Sequence, residues 1–143
     1  MEYKKILGVD YGDMRTGLAL SDLTATLASG AGCIKCNNFK KTAEQVSDFA
    51  KSHGVSLIVL GHPVNMDGTL GFRSEKIKDF AKEVESISGI KVVLEDERLS
   101  TANAHTILNI TDTRGAKRKR VIDEVSACLI LQSYLDRTKE KNG

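Results

Sequence analysis

The stretch that decides the fold is KILGVDYGDMRTGLALS, residues 5–21. Its two short apolar runs predict strands over residues 5–10 and 15–21, separated by a turn at residues 11–14. A third, weaker strand is expected within residues 27–36, where glycine and alanine dilute the apolar pattern. Three consecutive strands with short connections favour an antiparallel meander.

The pattern then changes from a strand period to a helical one. Apolar residues recur at helical spacing over residues 43–50, and Gly54 stands where a helix C-terminal glycine belongs. A run at residues 55–60 that is apolar except for Ser56 is typical of a strand buried on both faces of a parallel sheet. A second amphipathic helix, with its apolar stripe at residues 77–87, leads into a fifth strand at residues 90–94.

The last third of the chain predicts two helices separated by a cationic loop. Ser100 can cap a short helix that ends at Leu108. Residues 109–119 are polar and cationic and contain glycine, so we expect a loop there. The final helix, residues 121–135, is apolar on most of its faces and is expected to pack deeply.

The resulting order is strand, strand, strand, helix, strand, helix, strand, helix, which is the element order of the ribonuclease H fold. We therefore expect an α/β protein with a five-stranded mixed sheet flanked by helices. In this sheet the first three strands are antiparallel, and the fourth and fifth are parallel to the first. Residues 1–143 are expected to form a single ribonuclease H-like domain.

Charge and cysteine content narrow the class of protein. The formal net charge is only +2, but Arg114, Lys117, Arg118, Lys119 and Arg120 form a local cationic cluster. The chain has three cysteines, and an odd number argues against a disulfide framework. No apolar segment has the length of a signal-peptide core or of a membrane span, so we expect a soluble, cytoplasmic protein.

Three carboxylates, Asp10, Glu97 and Asp123, are the candidate catalytic residues and metal ligands. Asp10 and Glu97 follow apolar runs, and Asp123 lies at the head of the last predicted helix. A charge at the end of a buried strand is costly unless a cation or a metal neutralises it. Carboxylates around two divalent ions, about 3.5–4 Å apart, hydrolyse phosphodiesters in many nucleases, and Mg²⁺ prefers such oxygen ligands. The three acids therefore suggest one metal-binding site.

Each acid also has a purely structural explanation. Asp10 could serve as a turn or capping residue, and Glu97 could pair with Arg98 at the surface. Asp123 could stabilise its helix by interacting with the helix dipole. The nuclease hypothesis requires that all three come together in space.

The position of the acid on the last helix is open between Asp123 and its neighbour Glu124. Helical spacing alone does not choose between them. We prefer Asp123, because Ser126 and Ala127 follow it at helical spacing and are small. Small residues there would let the helix approach the sheet closely enough for a short carboxylate to reach a metal.

The cationic cluster is expected to bind phosphate. Each Lys or Arg that neutralises a phosphate releases a counterion, which gives salt-sensitive and largely sequence-independent affinity for nucleic acid. The alternative is a solvated charge run without a ligand. The proximity of the cluster to Asp123 favours nucleic-acid binding.

Two further motifs carry less weight. The CIKC sequence at residues 33–36 has a redox or metal spacing, but a zinc site needs a second pair of ligands. In a strand, moreover, the two thiols point to opposite faces. His62 follows the fourth strand at the sheet end where substrate would bind, yet a lone histidine is more often structural.

Segments along nearly the whole chain resemble successive motifs of the YqgF family, also called RuvX. The resemblance implies a ribonuclease H-like fold related to the RuvC Holliday junction resolvases and a nuclease site that depends on Mg²⁺ or Mn²⁺, with two ions when substrate is bound. By motif position, the catalytic acids and metal ligands fall on Asp10, Glu97 and Asp123. The segments are GVDYG at 8–12, RTGLA at 15–19, SD at 21–22, the GHP to MDG loop at 61–68, DERLST at 96–101, and residues 117–123.

Members of this family are described as nucleases that mature the 5′ end of precursor 16S ribosomal RNA and as Holliday junction resolvases. We expect the first activity, on structured RNA, with branched DNA as the alternative substrate. Asp96 and Arg98 are expected to help orient Glu97. The residues expected to bind nucleic acid are Arg15, Arg98, Arg114, Lys117, Arg118, Lys119 and Arg120.

Two other classes of protein remain as alternatives. A non-catalytic RNA-binding ribosome-assembly factor could keep the fold and the cations. An ATPase or sugar-kinase lobe has a phosphate loop similar to Asp10-Tyr11-Gly12, but such enzymes clamp nucleotide between two lobes and this chain has the length of one. The sequence leaves open whether the protein is a monomer or a homodimer.

Overall fold

A five-stranded mixed sheet forms the centre of the protein. The structure is a computed structural model, and it describes residues 5–62, 72–96 and 115–142. Three helices within these ranges pack on the two faces of the sheet. The strands are β1 Lys5–Asp10, β2 Arg15–Ser21, β3 Ala28–Lys35, β4 Val55–His62 and β5 Lys91–Asp96, and the helices are α1 Phe39–Ser52, α2 Phe72–Ser88 and α3 Gly115–Asn142.

The strand order is β3-β2-β1-β4-β5, so β1 is the middle strand. The pairs β1/β2 and β2/β3 are antiparallel, and the pairs β1/β4 and β4/β5 are parallel. This topology confirms the predicted ribonuclease H-like α/β fold. Asp10, the last residue of β1, therefore lies at the tip of the middle strand.

The two faces of the sheet carry separate apolar cores. Leu7 and Val9 of β1 are wholly buried in the core that α1 and α2 complete. Ile6 instead packs against the core formed with α3. Because successive strand residues point to opposite faces, Gly8 and Asp10 share the α3 face with Ile6.

α3 crosses β1 at very short distance, and Gly8 makes this possible. A Cβ atom built on Gly8 would lie 2.7 Å from Leu131 Cβ and 2.9 Å from the backbone oxygen of Ala127. Contacts this short are sterically excluded, so only glycine fits here. The small residue at 127, which is wholly buried, serves the same close approach.

The predicted boundaries of the early elements agree with the structure. β1 and β2 match residue for residue, and β3 falls inside its predicted window. α1 ends at Ser52, and Gly54 has the positive φ of +65° that is common after a helix C-terminus. None of the described helices combines the length and the apolar character needed to cross a bilayer.

The prediction of a loop up to residue 119 is wrong for its last part. α3 already begins at Gly115, so the cations at 117–120 are helical, and it ends at Asn142 rather than at residue 135. Charge alone does not break a helix, because alanine, lysine and arginine are strong helix formers. The helix predicted at 100–108 lies outside the described residues.

Candidate nucleic-acid and metal site

Asp10 projects from the α3 face of the sheet between two glycines. Its register partner on β2 is Gly17. On β4 the residue level with it is Gly61, since Gly61 follows Leu60, the partner of Val9. Neither neighbour has a side chain, so the surface on both sides of the partly buried Asp10 is backbone. The two strand positions level with Asp10 therefore contribute no side chain over its carboxylate.

The backbone turn after Asp10 is held in place by contacts on the other face. Tyr11 is buried, and its ring lies 4.2 Å from that of Phe80. Asp13 accepts a hydrogen bond from Lys76 of α2 at 2.5 Å, and this bond raises the pKa of Lys76. The segment that follows Asp10 is therefore anchored to α2.

Asp96 and His62 lie on the opposite face from Asp10. Leu94 of β5 packs into the α1/α2 core, so Asp96, two residues later, shares that face. His62 is its register partner on β4. The His62 ring lies 2.5 Å, Nε2 to Oγ, from the hydroxyl of Ser74, which is wholly buried at the start of α2. His62 thus has a structural contact, as expected for a lone histidine.

Sequence reasoning missed one buried acid, Glu95. This residue is 6% exposed and lies on the α3 face of β5. Ser133 donates a hydrogen bond to its Oε2 at 3.0 Å, and Arg137 donates to its Oε1. The bond to Glu95 raises the pKa of Arg137. These contacts fasten the end of β5 to α3. The alternation of strand β5 could have indicated this position, because Val93 and Glu95 are two residues apart and both lie on the α3 face.

Asp123 precedes the described side chains of the buried face of α3 at helical spacing. Ser126, Ala127 and Ile130, which follow Asp123 by three, four and seven residues, are all buried. Residues at this spacing share one helix face. The side chains described in α3 are those of residues 124–138, so the direction of the Asp123 carboxylate lies outside them.

Glu124 lies beside β3 instead of β1. A Cβ atom built on Gly30 of β3 would be 3.1 Å from Oε2 of Glu124. β3 is separated from β1 by β2, so this carboxylate is two strands away from the strand that carries Asp10. The preference for Asp123 stays a prediction.

The predicted cations are divided between two elements. Arg15 begins β2, and it shares the α3 face with Gly17 because the two residues are of the same parity. Lys117 through Arg120 occupy the first two turns of α3. Arg98 and Arg114, like the predicted metal ligand Glu97, lie outside the described residues.

Within the described ranges, no group of three or more His, Cys, Asp and Glu side chains is placed to hold a metal ion. Of the three predicted ligands, only the Asp10 side chain falls within those ranges. Its donor atoms are carboxylate oxygens, which suit a hard ion such as Mg²⁺ or Mn²⁺.

The sheet order, the α3 packing and the carboxylate at the tip of the middle strand define a ribonuclease H-like protein. The model of one family, described as "RuvX: Holliday junction resolvase", matches residues 4–137. The chain belongs to the RuvX family, as its motifs indicated.

Relatives of similar length are found in several bacteria. The chain is 44% identical over 138 residues to a protein of Carboxydothermus hydrogenoformans, covering 96% of this chain and 99% of the relative. It is 40% identical over 134 residues to one of Ruminiclostridium cellulolyticum, covering 93% and 94%. Both relatives carry the name "Putative pre-16S rRNA nuclease".

Solved structures share the fold. The T. thermophilus RuvC protein in complex with a Holliday junction superposes with a TM-score of 0.61 at 12% identity, covering 96% of this chain and 97% of that one. The fowlpox virus resolvase in complex with Holliday junction DNA gives a TM-score of 0.58 at 18% identity, covering 94% and 98%. At these identities the likeness establishes the fold alone.

Proposed function

We propose that this protein is a metal-dependent nuclease that hydrolyses phosphodiester bonds in the 5′-end maturation of precursor 16S ribosomal RNA. The observation that carries the proposal is the position of Asp10, at the tip of the middle strand and between two glycines, on the face that α3 covers. We infer the substrate from the name that its relatives share. Ribosomal RNA precursors are cytoplasmic in bacteria, so the proposal places the protein in the cytoplasm.

In this proposal Asp10, Glu97 and Asp123 hold Mg²⁺ or Mn²⁺. Glu97 follows Val93 and Glu95, which lie on the α3 face with Asp10, at two-residue intervals in the sequence. Asp123 has the helical spacing of residues that pack on that face. When bound, a pair of divalent ions supplies activation of the attacking water and stabilisation of the departing oxygen.

The chain's other residues bind and orient the substrate. The Glu95–Arg137 pair fastens the end of β5 to α3. Phosphates next to the cleaved bond are neutralised by cations, a contact that is largely independent of sequence. The cations proposed for this role are Arg15, Arg98, Arg114, Lys117, Arg118, Lys119 and Arg120.

Cleavage by an Asp10→Asn variant tests the proposal. The substrate is RNA that contains the 5′ end of 16S ribosomal RNA with its upstream extension, incubated with Mg²⁺ or Mn²⁺. We expect the parent protein to shorten the 5′ extension and Asp10→Asn to lose this activity by a factor of about 10² or more, because a metal ligand is removed. RNA affinity should be roughly unchanged.

The matched control is Asp79→Asn, because Asp79 is an exposed aspartate on α2, on the other side of the sheet. We expect it to cleave like the parent. Cleavage by Asp10→Asn at the parent rate in the presence of Mg²⁺ would show that the assignment is wrong.

Holliday junction resolution is a second candidate, favoured by the description of the matching family. It requires two sites across a four-way junction and therefore a stable homodimer. Light scattering would give the mass in solution, and a synthetic four-way DNA junction would serve as the competing substrate. A dimer that cuts the junction faster than the ribosomal precursor would favour this candidate.

A further inference from the structure

A cavity at the β2–β3 edge of the sheet shares Arg15 with the proposed site and is otherwise lined by residues that the proposed function has not used. Its volume is about 410 Å³, and it opens at the end of the sheet where β1 and β3 finish and β2 begins. We call it the β2–β3 cavity. Its lining residues are Met14, Arg15, Lys35, Cys36 and Asn37.

Both charged residues in the described lining of the β2–β3 cavity are cations. Arg15 and Lys35 are direct register partners on the antiparallel strands β2 and β3. Among the residues that the structure describes, no carboxylate lines the cavity. Two cations at one opening attract an anion, so the chemistry of the cavity favours a phosphate.

The β2–β3 cavity lies next to Asp10 on the same face of the sheet. Asp10 is opposite Gly17, and Arg15 is two residues from Gly17 along β2. With about 4.8 Å between strands and about 3.4 Å per residue, the Cα atoms of Asp10 and Arg15 are roughly 8 Å apart. A nucleic-acid strand with one phosphate at Asp10 would therefore pass over or beside the cavity.

The rest of the lining suits the other parts of a nucleotide. Met14 is 65% exposed and offers an apolar surface, and Asn37 is exposed and offers an amide. The backbone is held in shape, because the Cys36 amide donates a hydrogen bond to the Met14 carbonyl at 3.1 Å. α1 begins directly after the cavity, with Asn38 as its N-cap and no acidic residue in its first turn. The positive end of its dipole adds to the attraction for an anion.

We propose that the β2–β3 cavity binds the sugar–phosphate backbone next to the cleaved phosphodiester, with Lys35 and Arg15 contacting phosphate. This inference rests on the proposed nuclease function and adds a substrate subsite to it. Lys35 becomes a binding residue outside the seven cations named above.

The first test is RNA affinity in the Asp10→Asn background, where the substrate stays intact. Lys35→Gln should lower the affinity for the precursor RNA by about 3- to 10-fold and reduce the slope of log affinity against log salt by about one. The matched control is Lys51→Gln, because Lys51 is exposed and lies roughly 18 Å further along α1, at 1.5 Å per residue. It should leave both quantities unchanged. Equal affinities and slopes for the two variants would overturn the inference.

The second test uses a native thiol as a probe of occupancy. Cys36 lines the cavity, and its hydrogen bond with Thr42 is the largest of several contacts that lower its pKa. Burial raises the pKa of Cys128 to about 11, so this thiol is a poorly reactive internal reference. Saturating RNA should slow alkylation of Cys36 by iodoacetamide severalfold, as read by peptide mass spectrometry, while Cys128 is unaffected. Unchanged alkylation of Cys36 would overturn the inference.

The nuclease function and the subsite can be disproved separately. If the parent protein neither binds nor cuts the RNA, the proposed function is wrong and the subsite is wrong with it. If the parent cuts the RNA, but Lys35→Gln binds normally and Cys36 is not protected, the nuclease function stands and only the subsite is wrong.

Discussion

At the scale of single residues, the contact between Gly8 and α3 decides how close the last helix comes to Asp10. Gly8→Ala would place a Cβ atom within 2.9 Å of the Ala127 backbone oxygen and closer still to Leu131 Cβ. Backbone cannot move away as a side-chain tip can. We therefore expect a loss of about 1–3 kcal/mol in the free energy of unfolding, measured by urea denaturation.

Gly30→Ala is the matched control, because Gly30 of β3 also faces α3. Its added Cβ would meet the carboxylate end of Glu124 at 3.1 Å, and this flexible end can shift. The cost should stay below about 0.5 kcal/mol. Equal costs for the two substitutions would contradict the close packing of α3 on β1.

The two acids on the α3 face differ in how far sequence reasoning could reach them. Asp10 could be singled out because it ends an apolar run and a strand. The role of Glu95 could not, because its partners Ser133 and Arg137 are 38 and 42 residues away along the chain. Such a pairing appears only when β5 and α3 are brought together.

At the scale of elements, the apolar runs predicted where the strands lie but not where they end. β4 continues past its apolar run to His62, and β5 continues to Asp96, because these polar residues still pair across the two strands. The start of α3 was missed for a related reason. A run of cations indicates exposure to solvent, but it does not distinguish a loop from an exposed helix turn.

The helical start of α3 changes what is expected of its cations. Successive helix residues are about 100° apart, so Lys117, Arg118, Lys119 and Arg120 cannot all face one surface. We expect single Gln substitutions to differ in effect. One or two should lower RNA affinity by about 3- to 10-fold, and the others should have little effect.

The measurement is the affinity of the four variants for the precursor RNA at several salt concentrations. The Lys51→Gln variant again supplies the baseline for loss of one positive charge. Four equal reductions in affinity, each with the same change in salt slope, would contradict a helical arrangement in the RNA-bound protein.

The turn between β2 and β3 carries an acid with a clear pH signature. Asp22 accepts hydrogen bonds from the Thr26 amide and the Thr24 hydroxyl, both at 2.8 Å. These bonds, that of Thr26 first, lower the pKa of Asp22 below its ordinary value of 3.8. Because its pKa is lowered in the folded state, ionised Asp22 stabilises the fold, and this contribution is complete when the pH is above the ordinary pKa. The contribution is lost as the pH falls through the folded-state pKa.

Replacement of Asp22 should therefore make the free energy of unfolding depend less on pH at acidic pH. Between neutral pH and a pH below about 3, Asp22→Asn should lose less unfolding free energy than the parent. Asp48→Asn, at an exposed position on α1, should lose as much as the parent. Urea denaturation across this range measures the difference, and identical profiles for all three proteins would contradict it.

At the scale of the whole molecule, the fold gathers the proposed chemistry at one end of the sheet. The carboxyl ends of the parallel strands β1, β4 and β5 meet there, and α3 runs across the face that Asp10 occupies. The β2–β3 cavity opens at the same end. A substrate strand bound along this edge would contact the acids and the cations together.

The most direct measurement of this account is the anomalous scattering of manganese in crystals of the protein soaked with Mn²⁺. The account predicts a peak within about 2.5 Å of carboxylate oxygens from Asp10, Glu97 and Asp123 together. A structure in which manganese binds elsewhere, with these three carboxylates on separate surfaces, would contradict it.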